Sequence, residues 1–130
     1  MPKKPSRKTI VKKLDSVFSQ YIRRRFAIND IAECITCGTK SHYKKLQAGH
    51  FMSRKHYSTR WDVDNVQVQC YSCNVMRYGE QYKFGLYLEK TYQKGMAEKL
   101  QNKSRIITKF SDVDLIDMIN DFNKLLTDLK

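Results

Sequence analysis

The feature that most narrows what this chain can fold into is a pair of pairs, Cys34-Ile-Thr-Cys37 and Cys70-Tyr-Ser-Cys73. Each C-x-x-C turn offers two thiolates to one ion, and two such turns complete the tetrahedral shell that Zn2+ prefers. A redox dithiol would use one pair and leave the other unexplained. The expectation is therefore one structural zinc on Cys34, Cys37, Cys70 and Cys73, stapling the segment between them. At 130 residues the chain has the length of one ordinary domain, short enough for a metal to add materially to its stability.

Charge points to the partner. Residues 1 to 60 hold 15 Lys or Arg against 3 Asp or Glu, whereas residues 61 to 130 hold 10 of each, so the whole net charge of +12 sits in the first half. Such an imbalance fits a polyanion, with phosphate contacts that give affinity more than sequence reading. Charge alone does not separate DNA from RNA. No apolar run approaches the roughly 20 residues of a membrane span, and the basic Met1-Pro2-Lys3-Lys4-Pro5 has no apolar stretch behind it. Membrane insertion and export are not expected, and the protein reads as cytoplasmic. In that reducing compartment the cysteines favour metal over disulfides.

Taken in order, residues 1 to 8 read as a disordered basic arm and residues 9 to 130 as one domain. Ile10, Leu14, Val17, Phe18, Tyr21 and Ile22 recur at helical spacing, predicting a helix over 9 to 26 that ends in the cluster Arg23-Arg24-Arg25. The zinc core runs over 34 to 79. Within it residues 39 to 46 read as a loop entering a strand, Gln47 to Ser53 as the strand that carries His50, and Asp64 to Gln69 as a second strand with a period of two. The local order is strand, loop, strand, helix around a metal. Residues 80 to 130 read as helical. One helix starts near Glu80 with Tyr82, Leu86, Leu88 and Tyr92 on its stripe; a break at Lys94-Gly95 precedes a short helix over 96 to 102. Ser111 with Asp114 predicts a capping box, followed by the stripe Leu115, Met118, Phe122, Leu125 and Leu129. That last helix, over 111 to 129, packs on the chain's own core or forms a homodimer contact.

The residues between the cysteine pairs suggest hydrolysis of a phosphodiester, which needs an activated water, a neutralised phosphate and a stabilised 3′ oxygen. His50, of a type that titrates near about 6.5, can take the proton from water. Asn74, directly after the last Cys, offers an amide oxygen to a hard cation such as Mg2+ or Mn2+, with His50 a further candidate for that ion. Asn65 cannot act as a base; its amide can hold the loop backbone that orients His50. Arg23, Arg24 and Arg25, with Arg54, Lys55 and Arg60, are the nucleic-acid-binding candidates. His42 reads as an exposed loop residue, His56 as an outside candidate for the ion, and Trp61 as buried against the second strand rather than stacked on a base. The leading reading is a zinc-stapled nuclease. The alternatives are a non-catalytic zinc-dependent DNA-binding module and an RNA-binding zinc knuckle.

At this point the order of motifs matters more than any one of them. Cys34-x-x-Cys37-Gly38, Ala48-Gly49-His50-Phe51 with Ser53-Arg54, Arg60, Asn65, Gln69-Cys70-x-x-Cys73-Asn74 and Gly79 resemble the NinG (Rap) recombination proteins of lambdoid and related phages. The resemblance implies an α+β fold, a small treble-clef or ββα-metal core of the HNH-like, His-Me-finger kind, flanked by N-terminal and C-terminal helices. It implies an endonuclease acting on branched DNA such as Holliday junctions and D-loops, in the host cytoplasm. The Cys-x-x-Cys-Asn ending also resembles the phage resolvase endonuclease VII, in which that Asn binds the catalytic metal, and this supports the same role for Asn74. Two positions depart from the HNH pattern. Gly49 stands where most such enzymes carry an acidic or His ligand, and Asn74 where many carry His. Asp62, Asp64 and His56 are the nearby substitutes.

Overall fold

In the computed structural model, which describes residues 4–129, the chain opens with helix α1 (Arg7–Arg24). Ser6 caps it, its hydroxyl accepting from Thr9 N at 3.2 Å and so satisfying one of the amides that a helix start leaves free. The helix therefore begins before the Thr9 boundary that periodicity suggests, and Ser6 to Lys8 belong to it rather than to a disordered arm. Arg7 is also tied down, donating to Asp112 at 2.8 Å and to the Phe110 carbonyl at 2.6 Å. Residues 1 to 3 of the expected arm lie outside the described residues. The buried stripe is Ile10, Leu14, Val17, Phe18 and Ile22, as the spacing predicts.

The surface that covers this stripe comes from the other end of the chain. Helix α5 (Asp112–Asp128) starts at the expected capping box of Ser111 with Asp114. It buries Leu115, Ile119 and Phe122 against α1, with Phe122 meeting Phe18 edge to face at 5.0 Å. Leu125, expected on the buried stripe, is 40 % exposed, because a straight helix advances by 3.6 residues per turn and carries that position off the contact line. Most of the apolar face considered for a dimer contact is thus spent inside the chain.

Two small antiparallel sheets lie between these helices in sequence. β1 (Ile31–Glu33) and β2 (Lys40–His42) form a hairpin whose turn is the first cysteine pair, so Lys40 to His42, read as loop, are strand. His42 is half-buried rather than solvent-exposed, and its Nδ1 accepts from Lys44 N at 3.1 Å. β3 (Gln47–His50) pairs with β4 (Val66–Gln69), from Gln47 opposite Gln69 to His50 opposite Val66. The intervening loop, expected to be irregular, contains the short helix α2 (Tyr57–Arg60). A π-helical turn (Ser72–Met76) follows β4 and carries Cys73 and Asn74.

All four residues of β4 are buried, including Gln67 at 1 % and Gln69 at 0 % exposure. The period of two is present, but it separates two covered faces rather than a dry face from a wet one. Ala48 and Val66 turn toward the α1–α5 core. On the other face Gln67 Nε2 donates to Tyr92 Oη and to Asp64 O, and Gln69 Nε2 donates to Thr36 Oγ1 and to Gly79 O. Hydrogen bonds to the first cysteine turn and to Tyr92 are what let glutamines sit inside.

Helices α3 (Gln81–Thr91) and α4 (Met96–Ser104) build a second core from Phe84, Leu88, Met96 and Leu100, against which Ile35, Phe51 and Met52 pack. The break between them falls at Gly95, with φ at +90°. The α3 face differs from the expected stripe. Phe84 and Leu88 are buried, whereas Tyr82 and Leu86 are exposed. Among the described residues no helix is long and apolar enough to cross a membrane.

Candidate metal centre and histidine cleft

Cys34, Cys37, Cys70 and Cys73 come together with all four sulfurs within 4.8 Å of one another, and Cys37 Sγ lies 3.6 Å from Cys70 Sγ. Sulfurs bound at about 2.3 Å to one tetrahedral Zn2+ lie about 3.8 Å apart, so the cluster is compatible with zinc. The first knuckle closes through Gly38 N to Cys34 O, with Gly38 at a φ of +79° that favours glycine. Ile35 N donates to Val68 O and anchors this knuckle to β4. The environments of the sulfurs differ. The Thr39 hydroxyl, 3.1 Å away, can donate to the Cys37 thiolate and helps bring that thiol down to about 6, whereas burial pushes Cys73 up to about 12. A cation is what would hold all four as thiolates at once.

His50, at the end of β3, lines a cleft of about 260 Å3 between the strand and α1, together with Asp15, Ser19 and Arg54. Its Nε2 is 2.9 Å from the Arg60 carbonyl, which can only accept. Nε2 therefore carries the proton, and Nδ1 of the neutral ring keeps a lone pair. Burial pushes the imidazole down to about 4, with the charge of Arg54 acting in the same direction, so the ring is neutral at pH 7.

The carbonyl that holds His50 is itself fixed. Arg60 donates to Asp15 through Nε at 3.1 Å and through its terminal nitrogen, and to Arg54 O at 3.2 Å; its guanidinium also lies over the Trp61 ring at 5.3 Å. Asp15 in turn accepts from Trp61 Nε1 at 2.9 Å and from Arg54 at 2.8 Å. Burial opposes the charge on Asp15, but the bonds and charges of Arg60, Trp61 and Arg54 outweigh it and leave the carboxyl below its ordinary value. Asn65, fully buried, clamps the loop on the other side of His50. Its Oδ1 accepts from Met52 N at 2.8 Å and its Nδ2 donates to Met52 O at 3.1 Å and to Thr59 O at 3.0 Å.

Asn74 stands elsewhere. Its Nδ2 donates to Gln47 Oε1 at 2.7 Å and its Oδ1 faces Gly49. Gln47 and Gly49 alternate with Ala48 and His50, so Asn74 and His50 meet opposite faces of β3 rather than a shared pocket. A Cβ on Gly49 would collide with Gln69 Oε1 and lie 3.1 Å from Asn74 Oδ1, which explains why no ligand side chain stands there. Among the described residues the four cysteines are the one group of three or more His, Cys, Asp and Glu that could hold a metal. Asp62 is occupied, pairing with Lys103 and accepting from Asp64 N at 2.8 Å, and neither Asp64 nor His56 joins such a group.

The NinG family, described as Bacteriophage Lambda NinG protein, matches residues 2–130. The chain belongs to that family. No curated protein and no solved structure matches it. NinG membership implies a role related to phage recombination.

Within this NinG chain the basic candidates divide. Arg25 donates to Val63 O, Val66 O and Gln67 Oε1 at 2.9, 3.0 and 3.1 Å, and Arg23 to Ser19 and to Tyr43 O, so both brace α1 against the sheets. Arg24 lies over the Tyr43 ring at 5.4 Å. Arg54 is exposed but paired with Asp15, Lys55 is exposed, and Arg60 is held inside the cleft wall. Trp61 is buried as expected, though in the α1–α5 core against Tyr57 and Phe110. Sequence reasoning missed Asp15, which organises the cleft. The signal was there: it is the one acidic residue in an otherwise basic first 29.

Proposed function

We propose that this NinG-family chain is a zinc-stapled endonuclease acting on branched DNA, with His50 as general base. The observation that carries the reading is the state of His50: neutral, held by Nε2 to the Arg60 carbonyl, and lining a cleft beside Arg54. Nδ1 would take the proton of the attacking water. A phosphate in the cleft would favour the charged ring and raise its proton affinity. Asn65 is the positioning residue, since its three hydrogen bonds fix the loop that carries the next residues. Arg54 and Lys55 would meet the backbone phosphates, and the zinc cysteines hold the scaffold in the HNH-like sense that the resemblance implies.

A Mg2+ or Mn2+ ion would neutralise the phosphate and stabilise the departing 3′ oxygen. Asn74 Oδ1, the candidate for such an ion, sits next to Gln69 Oε1, a buried oxygen with no hydrogen-bond partner, but across β3 from His50, so an ion held there would not share the His50 cleft. Neither oxygen carries charge, so such an ion must owe most of its affinity to the DNA phosphate. That donor set favours a second reading, a zinc-dependent DNA-binding module that cleaves nothing. Wild type and His50→Ala, each loaded with zinc, separate the two on a four-way junction, a linear duplex and a single strand with Mg2+ or Mn2+. The nuclease reading expects cuts in the junction by wild type alone, with equal retention by both proteins. Retention without cuts by either supports the binding module, and preference for RNA over junctions removes both readings.

A further inference from the structure

Tyr78, Gly79 and Glu80, which follow the second zinc knuckle, all take positive φ, at 55°, 87° and 48°. Gly79 does so freely, whereas Tyr78 and Glu80 do so against the preference of residues with a Cβ. The turn is nevertheless pinned. Gly79 N donates to Cys73 O at 2.8 Å, Glu80 N donates to Arg77 O at 3.1 Å, and the buried Gln69 donates to Gly79 O at 2.8 Å. The knuckle and β4 thus enforce a shape that the local chain disfavours, and strain of this kind concentrates at functional surfaces.

The turn and the first residues of α3 display two rings. Tyr78 is 88 % and Tyr82 80 % exposed, more than any other aromatic side chain among the described residues. They line one shallow cleft of about 340 Å3 with Arg77 and Lys83. Lys83 shares its charge with Glu80 at 3.4 Å, and Arg77 forms no ion pair among the described residues. Exposed rings beside a guanidinium that forms no ion pair among the described residues match the chemistry of an unpaired nucleobase and its phosphate. Every base has a face to stack, so no hydrogen-bonding reader is required. We propose that Tyr78 and Tyr82 form a stacking platform for unpaired bases beside a DNA branch, with Arg77 on the adjoining phosphate. This deepens the branched-DNA reading and rests on it.

The test uses the zinc-loaded full chain and fluorescence anisotropy with a labelled thymidine single strand, a linear duplex and a four-way junction. Tyr78→Ala and Tyr82→Ala should each weaken single-strand binding by about 5- to 150-fold per stacked base lost, while Tyr→Phe at either position retains it. Duplex affinity and its salt dependence should not change. Tyr82→Ala decides the matter if Tyr78→Ala fails to load zinc, since Tyr82 lies in α3, outside the positive-φ turn. Single-strand binding by Tyr82→Ala equal to wild type overturns the platform and leaves the DNA reading intact, as does an equal loss on duplex. Loss of self-association in Tyr82→Ala would likewise overturn it, assigning the rings to a protein interface. A wild type that binds none of the three DNAs removes both readings.

Discussion

At the scale of single residues, the cleft depends on one carboxylate. Asp15 receives Arg54, Arg60 and Trp61, and through Arg60 it fixes the carbonyl that holds His50. Asp15→Asn removes the charge while keeping the shape, and should cost roughly 2 kcal/mol at neutral pH, the size of charge-assisted bonds lost at a partly buried site. Because the native Asp15 pKa lies below its unfolded value, the stabilisation is present above about 3.9 and is lost as pH falls through the native value. The difference between wild type and variant in urea midpoint should therefore close in strong acid. His50 acts over a higher window. The unfolded ring takes a proton as pH falls past about 6.5 and the native ring near 4, so the unfolded chain binds the extra proton in between and stability falls with pH. The full effect is on the order of 3 kcal/mol. His50→Gln, which cannot titrate, should lose less stability than wild type from pH 6.5 to 4; parallel curves would show that the ring is not desolvated as described.

At the scale of elements, β3 separates two chemistries. One face carries His50 toward α1 and the other carries Gly49 beneath Gln69 and Asn74. Gly49→Ala should destabilise by roughly 1–3 kcal/mol, because the new methyl enters space held by a fully buried glutamine with little freedom to move. Gly49→Asp, which would supply the acidic ligand usual in HNH enzymes, should lose stability as well, as read from the melting temperature. An Asp variant as stable as wild type would mean that Gln69 gives way and that the glycine answers to something else. The same element explains Arg25: its three acceptors lie on β4 and the loop before it, so it is a brace first.

At the scale of the whole molecule, two cores meet at the β3–β4 sheet. Val66 joins the α1–α5 core, while Phe51 and Met52, just past β3, pack on the α3–α4 core. The cysteine cluster links the β1–β2 turn to the end of β4, so loss of a metal bound there should loosen the sheet that both cores share. Chelation of zinc should thus unfold the chain cooperatively, with emission from Trp61, 5 % exposed, shifting to the red. Retention of both the melting temperature and the emission maximum after complete chelation would refute a structural role for the metal.

From residue order alone came the cysteine cluster, the buried stripe of α1, Leu115 and Phe122 of α5, the capping box at Ser111 and the family resemblance, because each rests on local spacing or on periodicity set by backbone geometry. An amide at Asn65 suited to holding backbone was also readable, and its bonds to Met52 and Thr59 are present in the fold. The tertiary structure alone decided the rest. It buried Gln67 and Gln69 by supplying partners from distant segments, converted Arg23 and Arg25 from surface charge into braces, and put Asn74 across the strand from His50. These are questions of which polar group finds which partner once water is excluded. That pairing joins residues 20 to 45 apart along the chain, such as Arg60 and Asp15, and no local pattern encodes it.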